Sequence, residues 1–137
     1  MAKWLMKSEA GSYGWEDLVR DGRTEWDGVR NPAARLHLKA MGEGDEAFFY
    51  HSGDQRSVVG IMRITRGAAP DPKDANWVSV AVEPLRPLVA PVPLKAIKAD
   101  PRLAALEMLR QSRLSVSPVR EEEWAAILDI GEGKSAR

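Results

Sequence analysis

The apolar run Trp4-Leu5-Met6, flanked by Lys3, Lys7 and Ser8, predicts a short first strand with Trp4 and Met6 on one face and Leu5 on the other. Lys7 and Ser8 fall where that strand ends and the chain turns. Over residues 13–20 the spacing changes. Trp15, Leu18 and Val19 recur at i, i+3 and i+4, which predicts one or two helical turns stopped by Asp21-Gly22. A longer helix is predicted after Asn31, with Ala34, Leu38 and Met41 in one apolar stripe, Arg35 and Lys39 facing away, and Gly42 and Gly44 at its end. Asn31 is a favourable N-cap, and Pro32 suits the first helical position, where no N–H is needed.

Residues 46–51 predict a strand rich in aromatics. After a turn at 52–54, residues 57–65 pair back as the second arm of a hairpin. Gly60 interrupts that arm, as expected where another group approaches the backbone closely. Residues 67–76, with Pro70 and Pro72, read as a loop; 77–83 alternate, with Val78, Val80 and Val82 inward. Prolines at 84, 87, 91 and 93 make the next stretch an edge strand or an extended connector. Short helices are predicted at 94–99 and 101–109, then a basic turn over 110–116 that leads into a short extended piece. Glutamates 121–123 open a last helix, where the dipole favours them and solvent is expected to cover them. Trp124, Ile127 and Leu128 of that helix are expected to dock on the core, and the tail from Gly131 to fray, leaving residues 1–130 as one domain. Strands outnumber long helices and no βαβ rhythm appears. The pattern predicts an α+β fold, a small mixed β-barrel with peripheral helices.

Composition narrows the functional classes. A chain of 137 residues with 44% hydrophobic and 29% charged positions has room for one sizeable core. No apolar run approaches the roughly 20 residues of a membrane span, and the first residues lack the pattern of a secretory signal. With no cysteine, disulfide and thiolate chemistry are excluded, and a cytoplasmic location is the expectation. Two histidines and no cysteine argue against a dedicated metal site, and nothing calls for a cofactor. Net charge is zero and the pI about 6.7. Wrapping long duplex through many phosphates normally leaves a basic excess, so any nucleic-acid contact should be small and local.

The densest chemistry lies in Trp26-Asp27-Gly28-Val29-Arg30-Asn31, which sets an aromatic face, a flexible glycine and a guanidinium just before a helix start. Free backbone N–H groups at that start favour an anion or a carbonyl oxygen. The combination suits a planar, polar ligand attached to a phosphate. The plainer alternative is a buried Trp anchoring the loop, with Arg30 in an ordinary ion pair. His51, beside Tyr50 and Ser52, could assist a nucleophile at Ser52 or Ser8 with Asp27. No nucleophile elbow or oxyanion glycine pattern supports that, and a strand-end histidine bonded to backbone is the plainer alternative. Gly42-Glu43-Gly44 lacks the lysine and strand that a phosphate loop needs.

Five blocks occur in order: Lys3-Trp4-Leu5-Met6-Lys7-Ser8-Glu9, the run from Asp21 to Asn31, Phe49-Tyr50-His51-Ser52, Val59-Gly60-Ile61, and Arg113-Leu114-Ser115-Val116. Together they resemble the EVE domain family, within the PUA-like superfamily that also holds the YTH readers. The resemblance implies a PUA-like β-barrel that binds, without catalysis, a methylated or hydroxymethylated base flipped out of DNA or RNA. Carried over onto this chain, the pocket comprises Lys7 and Ser8; Trp26, Gly28, Val29, Arg30 and Asn31; Tyr50, His51 and Ser52; and Leu114 and Ser115. Arg35, Arg110 and Arg113 are the expected phosphate-contacting rim. Trp26 is then expected to face the ligand as a stacking surface rather than to anchor the core. The expected partner is modified nucleic acid, with no membrane and no metal, bound by a monomer. An enzyme acting on a nucleoside with His51 as acid–base, or a protein adaptor with a vestigial pocket, are the alternatives. The chain departs from the family pattern at Ala10, where proline is usual, at Leu36, where asparagine is usual, and in a 70–76 loop shorter than the usual insert.

Overall fold

A computed structural model of the chain describes residues 2–133. The predicted first strand is β1 (Lys3–Glu9), followed by α1 (Trp15–Asp21), β2 (Thr24–Trp26), α2 (Pro32–Ala40) and β3 (Glu46–Ser52). Two long strands, β4 (Ser57–Asp71) and β5 (Asp74–Pro93), form a hairpin. The chain closes with α3 (Leu94–Ala99), a 3-10 turn, α4 (Glu107–Arg110), β6 (Val116–Val119) and α5 (Glu121–Gly131). The strands join in one six-stranded sheet of order β2-β5-β4-β3-β1-β6. Only the β1–β3 pair is parallel among these ladders. The α+β expectation therefore holds. The hydrogen-bonded order is open, since β2 and β6 end it at opposite sides and do not pair with each other.

Alternation sends successive side chains to opposite faces of a strand, and here both faces are buried. Trp4, Met6, Phe49, Met62, Val80 and Val82 meet Leu18 of α1 and Ala34 and Leu38 of α2. Leu5, Phe48, Tyr50, Ile61 and Val92 meet Ile97, Leu103, Leu106, Met108, Trp124 and Ile127 on the other side. Phe48 and Phe49, adjacent in sequence, divide the work. Phe48 stacks on Trp124 with ring centroids 3.7 Å apart, while Phe49 makes T-shaped contacts with Trp15 and Trp26 at 5.7 and 5.3 Å. The close approach expected at Gly60 is the Trp15 ring, 2.5 Å from where a Cβ would stand.

Several expectations are corrected. Residues 67–76 do not form a loop: β4 runs to Asp71 and β5 starts at Asp74, leaving only Pro72-Lys73 between them. Repeated register shifts let the prolines sit in that ladder. The proline-rich stretch 84–93 is extended, as expected, and pairs only with β4, so its other edge is free of the ladder donors that proline lacks. The short strand β2, three residues ending at Trp26, was not expected at all. Val19 lies outside the α1 stripe and is exposed. Of the three glutamates of the last helix, Glu123 is buried, its carboxylate reaching back to accept the Arg120 N–H at 2.9 Å at the helix start. Gly131, where fraying was expected to begin, is still helical and buried; residues 134–137 of that tail lie outside the described residues.

Candidate functional site

β2 pairs Thr24–Trp26 with residues 80–82 of β5, and the chain then leaves the sheet. Gly28 takes the left-handed φ of 78° that lets it turn back. What holds the loop is Asp71, at the end of the β4 arm. One carboxyl oxygen accepts the Gly28 N–H and an Arg30 Nη1–H, each at 2.9 Å, and the other accepts the Lys73 N–H at 2.7 Å. The Asp71 side chain is shielded from solvent. That burial pushes its carboxyl up, but the Arg30 guanidinium and the two backbone N–H groups outweigh it and hold the group at about 2. Arg30 also donates to Val29 O at 3.1 Å and lies 5.8 Å from the centre of the Trp77 ring. Arg35 packs on the same ring at 4.6 Å, a second cation–π contact. Asn31 Oδ1 accepts the Ala34 N–H at 3.0 Å and so caps α2, as its sequence position requires.

This loop borders a cavity of about 800 Å³. Of the residues expected at the pocket, Lys7, Ser8, Trp26, Gly28, Val29, Arg30 and Ser115 line it, joined by Ser12, Tyr13, Arg23 and others. Ser8 Oγ donates to Tyr13 O at 2.6 Å, and Tyr13 Oη donates to Asp21 at 2.9 Å. Glu25 on the wall receives both arms of Arg66, at 2.8 and 2.9 Å, which hold its carboxyl below the usual range against the burial that raises it. Trp26 is only 7% exposed and belongs to the core in T-shaped contact with Phe49, so it is a core anchor whose remaining surface closes the cavity, not an open stacking platform.

The other expected residues lie elsewhere. Asn31 and Leu114 border a separate cleft of about 350 Å³ with Arg110 and Arg113, and Leu114 itself is buried in the core. Tyr50 and Ser52 line a third cavity of about 420 Å³, which shares Lys7 with the first. His51 is turned inward. Its Nε2 accepts the Trp15 N–H at 3.0 Å, so the proton sits on Nδ1, which donates to Gln55 Oε1 at 2.7 Å. Both ring nitrogens are thus engaged, Nε2 at the start of α1 and Nδ1 on the turn before β4, which answers the plainer reading of that residue. Of the expected rim, Arg35 is packed on Trp77 and donates to Asn76 O at 3.2 Å, Arg110 lies 3.8 Å from Glu107, and Arg113 has no ion-pair partner among the described residues. The residue that sequence reasoning missed is Asp71. Its signal was the Asp-Pro-Lys-Asp run, which is tight-turn chemistry.

Sheet, two-sided core and the clamped loop describe an α+β domain with a cavity bordered by a fixed loop. The chain belongs to the EVE domain family, whose model matches residues 2–130. It is 34% identical to mouse thymocyte nuclear protein 1 over 165 residues, covering 94% of this chain and 73% of that one. Among solved structures, human THYN1 protein in complex with 5-methylcytosine containing DNA superposes with a TM-score of 0.87 at 31% identity, covering 96% of this chain and 98% of that one. The YTH domain of Zygosaccharomyces rouxii MRB1, solved with N6-methyladenosine RNA, shares the fold alone, with a TM-score of 0.61 at 13% identity over 99% of this chain and 88% of that one. No helix among the described residues is long and apolar enough to cross a membrane, and no group of three or more His, Cys, Asp or Glu among them could hold a metal ion.

Proposed function

We propose that this chain is a non-enzymatic reader of a modified base, methylated or hydroxymethylated, turned out of a DNA or RNA strand into the cavity behind the 26–31 loop. The observation that carries this reading is the clamp. Asp71 fixes the Gly28 and Arg30 positions through its hydrogen bonds, so the cavity wall is formed before any ligand arrives, which lowers the ordering cost of binding. A relative of the same fold, human THYN1, bound to DNA that contains 5-methylcytosine supports the ligand class. In this reading Ser8, Ser115 and backbone groups of the loop meet the edge of the base, and Trp26 and Val29 supply its apolar wall. Lys7 carries a half-buried ammonium whose affinity for its proton is lowered by that burial, and an entering phosphate would relieve it. His51, with both nitrogens engaged, supports no acid–base role. The PUA-like barrel implied by the resemblance is the finer form of the same fold, and the likeness to the YTH domain supports it.

The test is fluorescence anisotropy with matched oligonucleotides carrying cytosine, 5-methylcytosine, 5-hydroxymethylcytosine, adenine or N6-methyladenine, in DNA and RNA. One modified member should bind at least about tenfold tighter than its plain counterpart, a difference of about 1.4 kcal/mol. Equal affinity across the whole panel refutes the reading.

A further inference from the structure

Lys7, at the end of β1, lines two cavities at once: the one behind the 26–31 loop and the smaller one bordered by Tyr50, Ser52 and Ser112. The second continues into a shallow cleft of about 400 Å³. Every charged side chain along these two linings is a cation, namely Lys7, Arg56, Lys95 and Lys98. The chain as a whole carries 20 cationic and 20 acidic residues, yet none of these four has an ion-pair partner among the described residues. The contrast with the first cavity is plain: there Arg30 is paired with Asp71 and Lys73 with Asp27. Unpaired cations gathered in one place, with no carboxylate among them, leave a local positive field that an anion would satisfy.

The details of two of the four sharpen this. Lys7 Nζ donates to Ser112 O at 2.9 Å and sits 5.8 Å from the Tyr50 ring centre, so the ammonium is held at the boundary of the two cavities by neutral groups. Arg56 has φ 41°, the one described non-glycine residue in the left-handed region, a conformation that glycine or asparagine adopts more cheaply. Its only side-chain hydrogen bond among the described residues runs from Nε to Gly53 O at 3.3 Å, which leaves the rest of the guanidinium for a partner outside the chain. A strained position occupied by a long cation marks a side chain kept for what it reaches.

We propose that the face formed by Lys7, Arg56, Lys95 and Lys98 binds the phosphodiester backbone of the same strand whose base enters the cavity behind the 26–31 loop. This rests on the reading given under Proposed function and extends it. It places the strand on the Tyr50 side of the sheet, on a face whose Ser112 edge adjoins the cleft of Arg110 and Arg113. Charge complementarity names the occupant, and Lys7, common to both cavities, makes the two surfaces continuous. A free nucleotide offers the same phosphate chemistry, so the test separates the two.

Lys95→Ala with Lys98→Ala, and separately Arg56→Gly, are compared with the unaltered chain. The probes are a short oligonucleotide carrying the preferred modified base, its unmodified twin, and the modified nucleoside monophosphate. The double variant should weaken both oligonucleotides about tenfold at moderate salt and lower the log–log salt slope by about 1 for each cation removed. The ratio between modified and unmodified twins should stay unchanged, as should binding of the monophosphate. Arg56→Gly should lower the slope by about 1 while its melting temperature stays level or rises, because glycine relieves the left-handed backbone. Unchanged affinity and slope in both variants overturn the proposal. So does a loss for the monophosphate as large as for the oligonucleotides, which would mean a site for one free phosphate. Twins that never differ sink the base-reading proposal, while a lost slope in the same data still supports this one. No binding of any oligonucleotide overturns both.

Discussion

Replacing Asp71 with asparagine keeps the shape of the clamp and removes its charge. The two carboxyl oxygens accept three hydrogen bonds, from Gly28 N, Arg30 Nη1 and Lys73 N. An amide has one oxygen, so if it faces Gly28 and Arg30 its NH₂ meets the Lys73 N–H, donor against donor. The carboxyl is held at about 2 against an ordinary 3.8, and that difference corresponds to a ceiling of about 2.5 kcal/mol. The Arg30 partner is 37% exposed, so solvent screening reduces the expectation to about 1–2 kcal/mol. For a chain of this size the melting temperature should fall by about 3–8 °C at neutral pH. A carboxyl with a depressed folded-state value stabilises fully above the unfolded value and loses its effect as pH falls through the folded one. The gap between the two proteins should therefore be constant above about pH 5, shrink below about pH 4, and near about pH 2 fall to what the Lys73 donor clash alone costs. Calorimetric scans across that range read it directly. A gap that does not shrink toward the acid end, or no gap at neutral pH, refutes the charge-clamp argument. Oligonucleotide affinity should drop in parallel, since the released loop must be ordered again on binding.

Gly60→Ala should destabilise by about 1–3 kcal/mol, because the new Cβ would stand 2.5 Å from the buried Trp15 ring; an unshifted urea midpoint would refute it. His51→Ala should cost about 1–3 kcal/mol by stranding the Trp15 N–H, yet leave oligonucleotide affinity within about twofold once the protein is folded. A selective loss of binding would return His51 to the site. Trp26→Ala should cost about 3–5 kcal/mol, comparable to Trp124→Ala, since both rings are buried; a melting temperature that barely moves would restore the open-platform reading.

Elements set by local chemistry were legible in the chain. Asn31-Pro32 fixes the start of α2, the Asp21-Gly22 pair stops α1 with Gly22 in the left-handed region, and the short apolar run Trp4-Leu5-Met6 gives β1. Gly60 was legible too, as a close approach without a named neighbour. What escaped was set by partners distant in sequence. β2 is three residues long and exists only because β5 pairs with it. Residues 67–71 and 74–76 read as loop from their prolines and glycine, but pairing across the hairpin and register shifts overrode that composition. Asp71 looked like turn chemistry, and nothing local said that its carboxyl reaches residues 28 and 30.

The split of the expected pocket has one physical origin. In the parallel pair Lys7 lies opposite Tyr50, Ser8 opposite His51 and Glu9 opposite Ser52. Because side chains alternate with period two, Lys7, Tyr50 and Ser52 follow Leu5 and Phe48 to one face, while Ser8 and His51 follow Met6 and Phe49 to the other. Blocks that are contiguous in sequence therefore supply two sites and not one. A list of residues carried over block by block cannot separate them, since it has no face in it. The register does: substitutions at Ser52 belong with the cationic surface and those at Ser8 with the cavity behind the 26–31 loop. Lys7 escapes the division because its side chain reaches Ser112 O in the turn before β6 and borders both cavities.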